Sequence, residues 1–147
     1  MLIAVDFDGT CVEFDFPRIG KDRQYAVTAL KLLVEAGHEL VLWTCREDHP
    51  TNINKRYLTD AVNWFGDRGI PLAGVNSVPE GKDPFEEYTQ FTGPRMFRKL
   101  CADVYIDDKN FGNDGEVDWT QVVWKLVSLD AVKKLWREEL DAETIRG

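Results

Sequence analysis

The sequence contains few of the residues that build disulfide frameworks and zinc sites. It has 3 cysteines and 2 histidines among 147 residues. Cys11, Cys45 and Cys101 are odd in number and widely spaced, and no Cys-x-x-Cys pair occurs. This pattern argues against a disulfide framework and against a structural zinc site. It fits a protein of the reducing cytoplasm.

Long apolar runs are also absent. No segment approaches the roughly 20 apolar residues that a bilayer-spanning helix needs. The N-terminus has no basic stretch followed by an apolar region, so we expect neither a membrane segment nor a signal peptide. The net charge of −8 argues against extended nucleic-acid binding. A nucleotide or a nucleic-acid end stays open as a substrate, because a bound cation can supply positive charge locally.

The sequence does contain short apolar runs. Segments in which apolar residues recur at helical spacing lie between them. Four runs predict strands, over residues 1–5, 38–44, 72–75 and 102–106. Helical spacing predicts helices over 22–36 and 52–67, and Asp118 and Ser128 predict the caps of a C-terminal helical region. This order predicts an α/β fold, a three-layer Rossmann-like domain with a mostly parallel sheet and helices on both faces. We expect one domain over residues 1–147, with a long loop at 76–94.

Acidic side chains follow two of the predicted strands. Asp6 and Asp8 come after the first strand, and Asp107 and Asp108 come after the fourth. Because ligands bind beyond the carboxyl ends of the strands in open α/β sheets, we expect these acids to converge. Grouped carboxylates are stable when they are protonated or bound to a cation, and their hard oxygen atoms suit Mg²⁺. Each motif alone is also typical of a simple turn or cap, but both in this order favour a site.

These motifs resemble those of the haloacid dehalogenase-like superfamily of phosphotransferases. Asp6-Phe7-Asp8-Gly9-Thr10 resembles its first motif, Asp-x-Asp-x-Thr, and Thr44 resembles the second. Lys99 resembles the basic residue of the third motif, and Ile106-Asp107-Asp108 resembles the acidic fourth motif. The resemblance spans most of the chain. It implies a magnesium-dependent phosphatase that acts on phosphomonoesters.

The resemblance also implies a role for each motif residue. Asp6 is expected to attack phosphorus and form an aspartyl-phosphate, and Asp8 to act as general acid and base. Thr44 is expected to donate a hydrogen bond to a phosphoryl oxygen, and Lys99 to neutralise the phosphate. Arg98, beside Lys99, is the first alternative for that third-motif role, and Arg95 and Lys109 are two others nearby.

A metal site and two substrate contacts complete the set of expectations. By the same resemblance, Mg²⁺ is held by Asp6, by the main-chain carbonyl of Asp8, and by Asp107 or Asp108. The sequence does not separate the last two, although we favour Asp107. We also expect Thr10 of the first motif to contact the substrate, and Arg46 as well because it lies two residues past Thr44.

The substrate is not defined by the sequence. The intervals 11–44 and 44–99 are too short for a substantial cap domain, so the resemblance implies a capless or minimally capped member. Within the superfamily, such an open site suits a macromolecular substrate or closure by a second subunit of a homo-oligomer. A small phosphometabolite, a nucleotide and a phosphorylated macromolecule all remain candidates.

Two other classes of function are open at this point. One is a catalytically weak binding or scaffold protein that keeps the fold. The other is a receiver-like phospho-acceptor domain, which places its phosphorylated aspartate after the third strand. The segment Leu72-Ala73-Gly74-Val75-Asn76-Ser77 offers no aspartate there, which disfavours the receiver-like alternative.

Overall fold

A parallel sheet forms the centre of the protein. The computed structural model describes residues 1–88 and 99–147. Within these ranges the strands are β1 (Leu2–Val5), β2 (Glu39–Leu42), β3 (Gly74–Val75) and β4 (Val104–Ile106). They pair in parallel in the order β3-β2-β1-β4. The predicted α/β class with a parallel sheet is therefore confirmed.

Strand β1 lies between β2 and β4, and its side chains are buried on both faces of the sheet. Ile3 and Val5 enter one apolar cluster, whereas Leu2 and Ala4 enter a second cluster on the opposite face. Successive side chains of a strand point to opposite faces, so a strand covered on both sides must be apolar at every position. This explains the uninterrupted apolar run that opens the sequence.

The helices pack together on one face of the sheet. They are α1 (Ala26–Glu35), α2 (Tyr57–Asp67), α3 (Trp119–Leu126) and α4 (Leu129–Arg146). Each contributes buried residues to the cluster that contains Ile3 and Val5. The cluster on the other face contains no residue of these helices within the described ranges, and Leu100 packs there against Leu2 and Val41. The predicted helical layer on that second face is thus not found among the described residues. None of the described helices is long and apolar enough to span a membrane.

Helices α1 and α2 begin later than the sequence predicts. Tyr25 has a φ of 67°, which departs from the helical path and delays the start of α1 to Ala26. Before α2, Asp48 and Arg56 form an antiparallel bridge, and the Asp48 carboxylate accepts hydrogen bonds from the main chain and hydroxyl of Thr59. These local contacts hold the segment before Tyr57 in a non-helical loop.

The predicted caps of the C-terminal helices are confirmed. Asp118 accepts a hydrogen bond from the main-chain N–H of Gln121, and Ser128 accepts one from that of Ala131. In the predicted long loop, residues 76–88 are irregular apart from a single 3₁₀ turn at Glu86–Tyr88. Residues 89–94 of that loop lie outside the described part of the chain.

Candidate active site

Three carboxylates meet at the carboxyl ends of β1 and β4. Val5 pairs with Ile106 across these neighbouring strands, and the N–H of Asp6 donates to the carbonyl of Ile106 at 2.9 Å. The acids that follow the two strands therefore start from adjacent positions. One oxygen atom from each of Asp6, Asp107 and Asp108 lies within 4.8 Å of the others. The structure thus brings together three of the four acids that the sequence places at strand ends.

The hydroxyl of Thr10 connects two of these acids. Its Oγ1 lies 2.9 Å from Asp6 Oδ2 and 3.2 Å from Asp108 Oδ1, and it accepts a hydrogen bond from the Asp108 N–H at 3.0 Å. A hydroxyl has one proton, so it donates to one of the two carboxylates at a time. Thr10 is fully buried, and its contact with the substrate stays a prediction. Its contacts make it a link between the first-motif and fourth-motif acids.

The electrostatics of Asp6 reflect this crowded environment. The pKa of Asp6 is raised from 3.8 to about 7, mainly by burial and against the opposing hydrogen bond from Thr10. The negative charges of Asp107 and Asp108 contribute to the same rise. A divalent cation beside these carboxylates would counteract both the burial and the charge repulsion, because it favours the charged form of each carboxylate. The oxygen-only donor set fits a hard cation such as Mg²⁺. The part assigned to the main-chain carbonyl of Asp8 stays a prediction.

The carboxylate of Asp8 is held by Arg46 and is not part of the three-acid cluster. Arg46 Nε lies 2.7 Å from Asp8 Oδ2, and Arg46 Nη2 lies 2.8 Å from Asp8 Oδ1. The Arg46 side chain is only 1% exposed. Its guanidinium is enclosed by the protein, and the contact of Arg46 with the substrate stays a prediction. Sequence position placed Arg46 near the site but did not identify its partner.

Thr44 lies beside the end of β1, in a segment that continues from β2. The N–H of Trp43 donates to the carbonyl of Val5 at 2.8 Å, which brings the following residue alongside Asp6. Thr44 Oγ1 accepts a hydrogen bond from the N–H of Arg46 at 3.1 Å, so its own hydroxyl proton can be donated elsewhere. The N–H of Thr44 donates to Asn76 Oδ1 at 2.8 Å.

One contributing residue was missed at the level of sequence, and a second was considered only for the third-motif role. Asn76 directly follows β3 and anchors the main chain of Thr44, and a polar residue at a strand end was the signal that pointed to it. Lys109 directly follows the acid pair, and its Nζ lies 3.6 Å from Asp108 Oδ2. Its side chain is 79% exposed, so it adds a solvent-accessible cation at the border of the three-acid cluster.

Lys99 lies next to the sheet on the side of β4. Its Nζ is 4.8 Å from the centre of the Tyr105 ring. Lys99 lines a cavity of about 480 Å³, which Trp43 and Asp107 also line. The third-motif role of Lys99 stays a prediction, and Arg98, its alternative, lies outside the described residues.

Comparison with known proteins identifies a relative of known structure. The structure of a conserved protein coded by a locus of Bacteroides thetaiotaomicron is similar to this chain, with 38% sequence identity and a TM-score of 0.66. The similarity covers 86% of this chain and 88% of that one. No protein-family model and no curated protein matches the sequence. The similarity therefore bears on family and fold, and activity must be argued from the site.

Proposed function

The chain belongs to the family of this conserved Bacteroides thetaiotaomicron protein, and we propose that it is a magnesium-dependent phosphomonoester hydrolase with Asp6 as nucleophile. The observation that carries the proposal is the approach of Asp6, Asp107 and Asp108 to within 4.8 Å. An anionic carboxylate can attack an anionic phosphate when a cation offsets their repulsion. Asp107 and Asp108 beside the Asp6 nucleophile are carboxylates that can hold such a cation.

The reaction has two steps, in both of which Asp6 and Asp8 take part. In the first, an Asp6 carboxylate oxygen forms a bond to phosphorus while the bond from phosphorus to the leaving oxygen breaks. Asp8 donates a proton to that leaving oxygen, and an aspartyl-phosphate remains on the chain. In the second, Asp8 takes a proton from a water molecule as the water oxygen bonds to phosphorus. The bond from phosphorus to Asp6 breaks, which releases inorganic phosphate and restores both carboxyl groups.

The other site residues hold and neutralise the reacting groups. Thr10 fixes Asp6 through its 2.9 Å hydrogen bond, and the hydroxyl of Thr44 is available to a phosphoryl oxygen. Lys99 provides positive charge from the cavity that Asp107 also lines. Asp6, Asp107 and Asp108, together with the carbonyl of Asp8, would hold Mg²⁺, which would neutralise anionic charge at the transferring group.

The alternatives receive less support from the same residues. A receiver-like domain needs an aspartate after the third strand, whereas β3 is followed by Asn76, which is bonded to Thr44. A scaffold protein has no need of a partly buried carboxylate whose pKa is raised to about 7, a feature that is common at catalytic sites. A cytoplasmic location is part of the proposal and is supported by three free cysteines.

The proposal is tested by phosphate release from p-nitrophenyl phosphate with and without Mg²⁺. Wild type should turn over only with the metal, and Asp6→Asn should lose activity by roughly a thousandfold or more because the nucleophile is gone. Asp67→Asn, which changes an exposed acid of α2, should remain active. Intact-mass measurement of Asp8→Asn should detect one added phosphoryl group. Equal, slow hydrolysis by wild type and Asp6→Asn would contradict the proposal.

Substrate class is the next question after activity is established. A panel of sugar phosphates, nucleotides and 5′-phosphorylated oligonucleotides separates the candidates that the sequence leaves open. An open site without a cap should favour esters attached to a macromolecule, or should need a second copy of the chain to enclose a small substrate. Size-exclusion chromatography with light scattering, run beside the panel, distinguishes these two cases.

A further inference from the structure

The guanidinium of Arg46 uses every one of its N–H donors inside the protein. Besides its two hydrogen bonds to Asp8, Nη2 donates to the carbonyl of Arg18 at 2.7 Å, and Nη1 donates to the carbonyls of Pro17 and Tyr57 at 3.2 and 3.3 Å. An arginine side chain has five such donors, and all five are thus satisfied. We propose that Arg46 is a positioning residue, which sets the place of the Asp8 carboxylate for the reaction. This inference rests on the proposed function.

The energetics of this pair favour a role in orientation over one in stability. Removing two charges from water is costly, and an apolar pair of the same volume is often as stable as a buried ion pair. The ion pair instead determines the orientation of the carboxylate, because two parallel hydrogen bonds from a guanidinium hold a carboxylate in one plane. The Asp8 side chain is 13% exposed, and among the described residues Arg46 alone donates hydrogen bonds to its carboxylate.

The plane of the guanidinium is itself fixed by two aromatic rings. Its central carbon lies 5.2 Å from the centre of the Phe7 ring and 5.2 Å from that of the Phe16 ring. Phe16 in turn packs edge-on against Tyr57, with ring centres 5.3 Å apart. Contacts of this kind between a cation and aromatic rings are attractive. The rings and the carbonyls therefore restrict the motion of the Arg46 side chain. Through its two hydrogen bonds, Arg46 in turn restricts the motion of the Asp8 carboxylate.

Arg46 also joins the two strand ends that carry the proposed reaction. Its side chain binds Asp8, which follows β1, and its main-chain N–H binds the hydroxyl of Thr44, which follows β2. The fork occupies one lone pair on each Asp8 oxygen, and a carboxylate has about four acceptor positions. Each oxygen thus keeps a position from which a proton can be exchanged. As a positioning residue, Arg46 acts on the reaction through Asp8 and not by contact with the substrate.

The test uses the choice of leaving group to separate the two functions of Asp8, which are protonation of the leaving oxygen and activation of water. p-Nitrophenolate leaves without a proton, whereas phenolate, the stronger base, needs one. Arg46→Lys keeps the charge but replaces the fork by a single point of contact. We expect kcat/KM on p-nitrophenyl phosphate to stay within about threefold of wild type, and kcat/KM on phenyl phosphate to fall by about 10- to 100-fold. For p-nitrophenyl phosphate, kcat and KM should fall together, because the aspartyl-phosphate accumulates when Asp8 no longer activates water.

Two further variants make the result specific. Arg68→Lys changes an arginine that binds Asp22 through Nε and Nη2, both at 3.1 Å, and lies over the ring of Trp64. It should leave the kinetics on both esters unchanged. Combining Arg46→Lys with Asp8→Asn should lower activity no further than Asp8→Asn alone, since residues that act as a unit are not additive. If Arg46→Lys does not fold, Phe16→Leu should give the same dependence on leaving group in weaker form.

The possible outcomes distinguish this inference from the proposed function. Equal losses on both esters, a raised KM with unchanged kcat, or additive losses in the double variant would overturn the positioning role while wild type stays an active phosphatase. Absence of phosphate release from wild type with either ester would overturn the proposed function, and the role of Arg46 with it. Selective loss on phenyl phosphate, together with the non-additive double variant, would establish that role.

Discussion

Gly9 and Asp108 approach each other so closely that a side chain at position 9 has no space. A Cβ atom built on Gly9 would lie 2.4 Å from Asp108 Oδ2. The φ of Gly9 is 86°, in the left-handed region that favours glycine. The first-motif loop can therefore meet the fourth-motif acid only because residue 9 is a glycine.

Gly9→Ala should both destabilise the protein and disturb the three-acid cluster. The left-handed backbone costs about 1–2 kcal/mol for an alanine, and displacing the carboxylate of Asp108 adds to this. We expect the free energy of unfolding, measured with urea, to fall by about 2–4 kcal/mol. The increase in melting temperature caused by Mg²⁺ should disappear, because Asp108 is moved from its place beside Asp6.

Gly37→Ala is a matched comparison for this effect. Gly37 has a φ of 91°, yet nothing lies within 4 Å of a Cβ built there. The substitution should cost only the backbone strain, about 1–2 kcal/mol, and should leave the response to Mg²⁺ intact. If both alanine variants lose the same stability and keep that response, the close contact between Gly9 and Asp108 has no energetic importance.

The raised pKa of Asp6 predicts a particular dependence of stability on pH. In the folded state the pKa is about 7, against an ordinary value of 3.8, so folding favours the protonated carboxyl group. The contribution of Asp6 to stability is fully present below pH 3.8 and is lost as the pH rises to about 7. In metal-free buffer, Asp6→Asn should therefore be more stable than wild type at pH 8, by an amount on the order of 2–4 kcal/mol.

The measurement is urea unfolding of wild type and Asp6→Asn at several pH values with a chelator present. The difference between the two proteins should be small near pH 4 and should grow up to about pH 7. Parallel stability curves over this range would show that Asp6 titrates as an ordinary exposed aspartate does. Saturating Mg²⁺ at pH 8 should remove much of the advantage of Asp6→Asn, because wild type alone offers the charged carboxylate.

The strand ends could be predicted from sequence, but the partners of the side chains there could not. An apolar run followed by Asp6 or by Asp107 marks a buried strand that reaches the ligand edge of the sheet, and both features are local. The partner of Arg46 depends on the carbonyls of Pro17 and Arg18 in one loop, on that of Tyr57 at the start of α2, and on the ring of Phe16. An arginine two residues past Thr44 has the same sequence signature whether it faces a substrate or Asp8.

Helix boundaries and helix faces show the same limit. The start of α1 depends on the left-handed φ of Tyr25, a conformation that no propensity assigns to tyrosine. Among the helical tryptophans, Trp64 and Trp119 are buried. Trp124 and Trp136, however, are 55% and 50% exposed. Spacing shows that two residues share a face but not whether another element covers that face.

Mg²⁺ should stabilise the folded protein through the three-acid cluster. At a concentration about 100 times the dissociation constant, the expected gain is about 2.7 kcal/mol, measured as a rise in melting temperature. Asp107→Asn and Asp108→Asn should each remove most of this gain. Without metal, neither variant should lose much stability through charge, because each removes a negative neighbour that raises the pKa of Asp6. A full metal response in both variants would place the cation elsewhere. The control Asp67→Asn should respond to Mg²⁺ as wild type does.

Thr10→Val should separate the linking role of the hydroxyl from the shape of the side chain. Valine has nearly the same volume, but it leaves the Asp108 N–H and the Asp6 carboxylate without their bonds to Oγ1. We expect a loss of about 1–3 kcal/mol in the free energy of unfolding. The hydrogen bond from Thr10 lowers the pKa of Asp6, so its removal should move the Asp6 titration above pH 7, as followed by carbon NMR of the carboxyl group. Thr10→Ser keeps the hydroxyl and should keep both properties, and a Thr10→Val protein with the wild-type titration would show that Thr10 does not bond to Asp6.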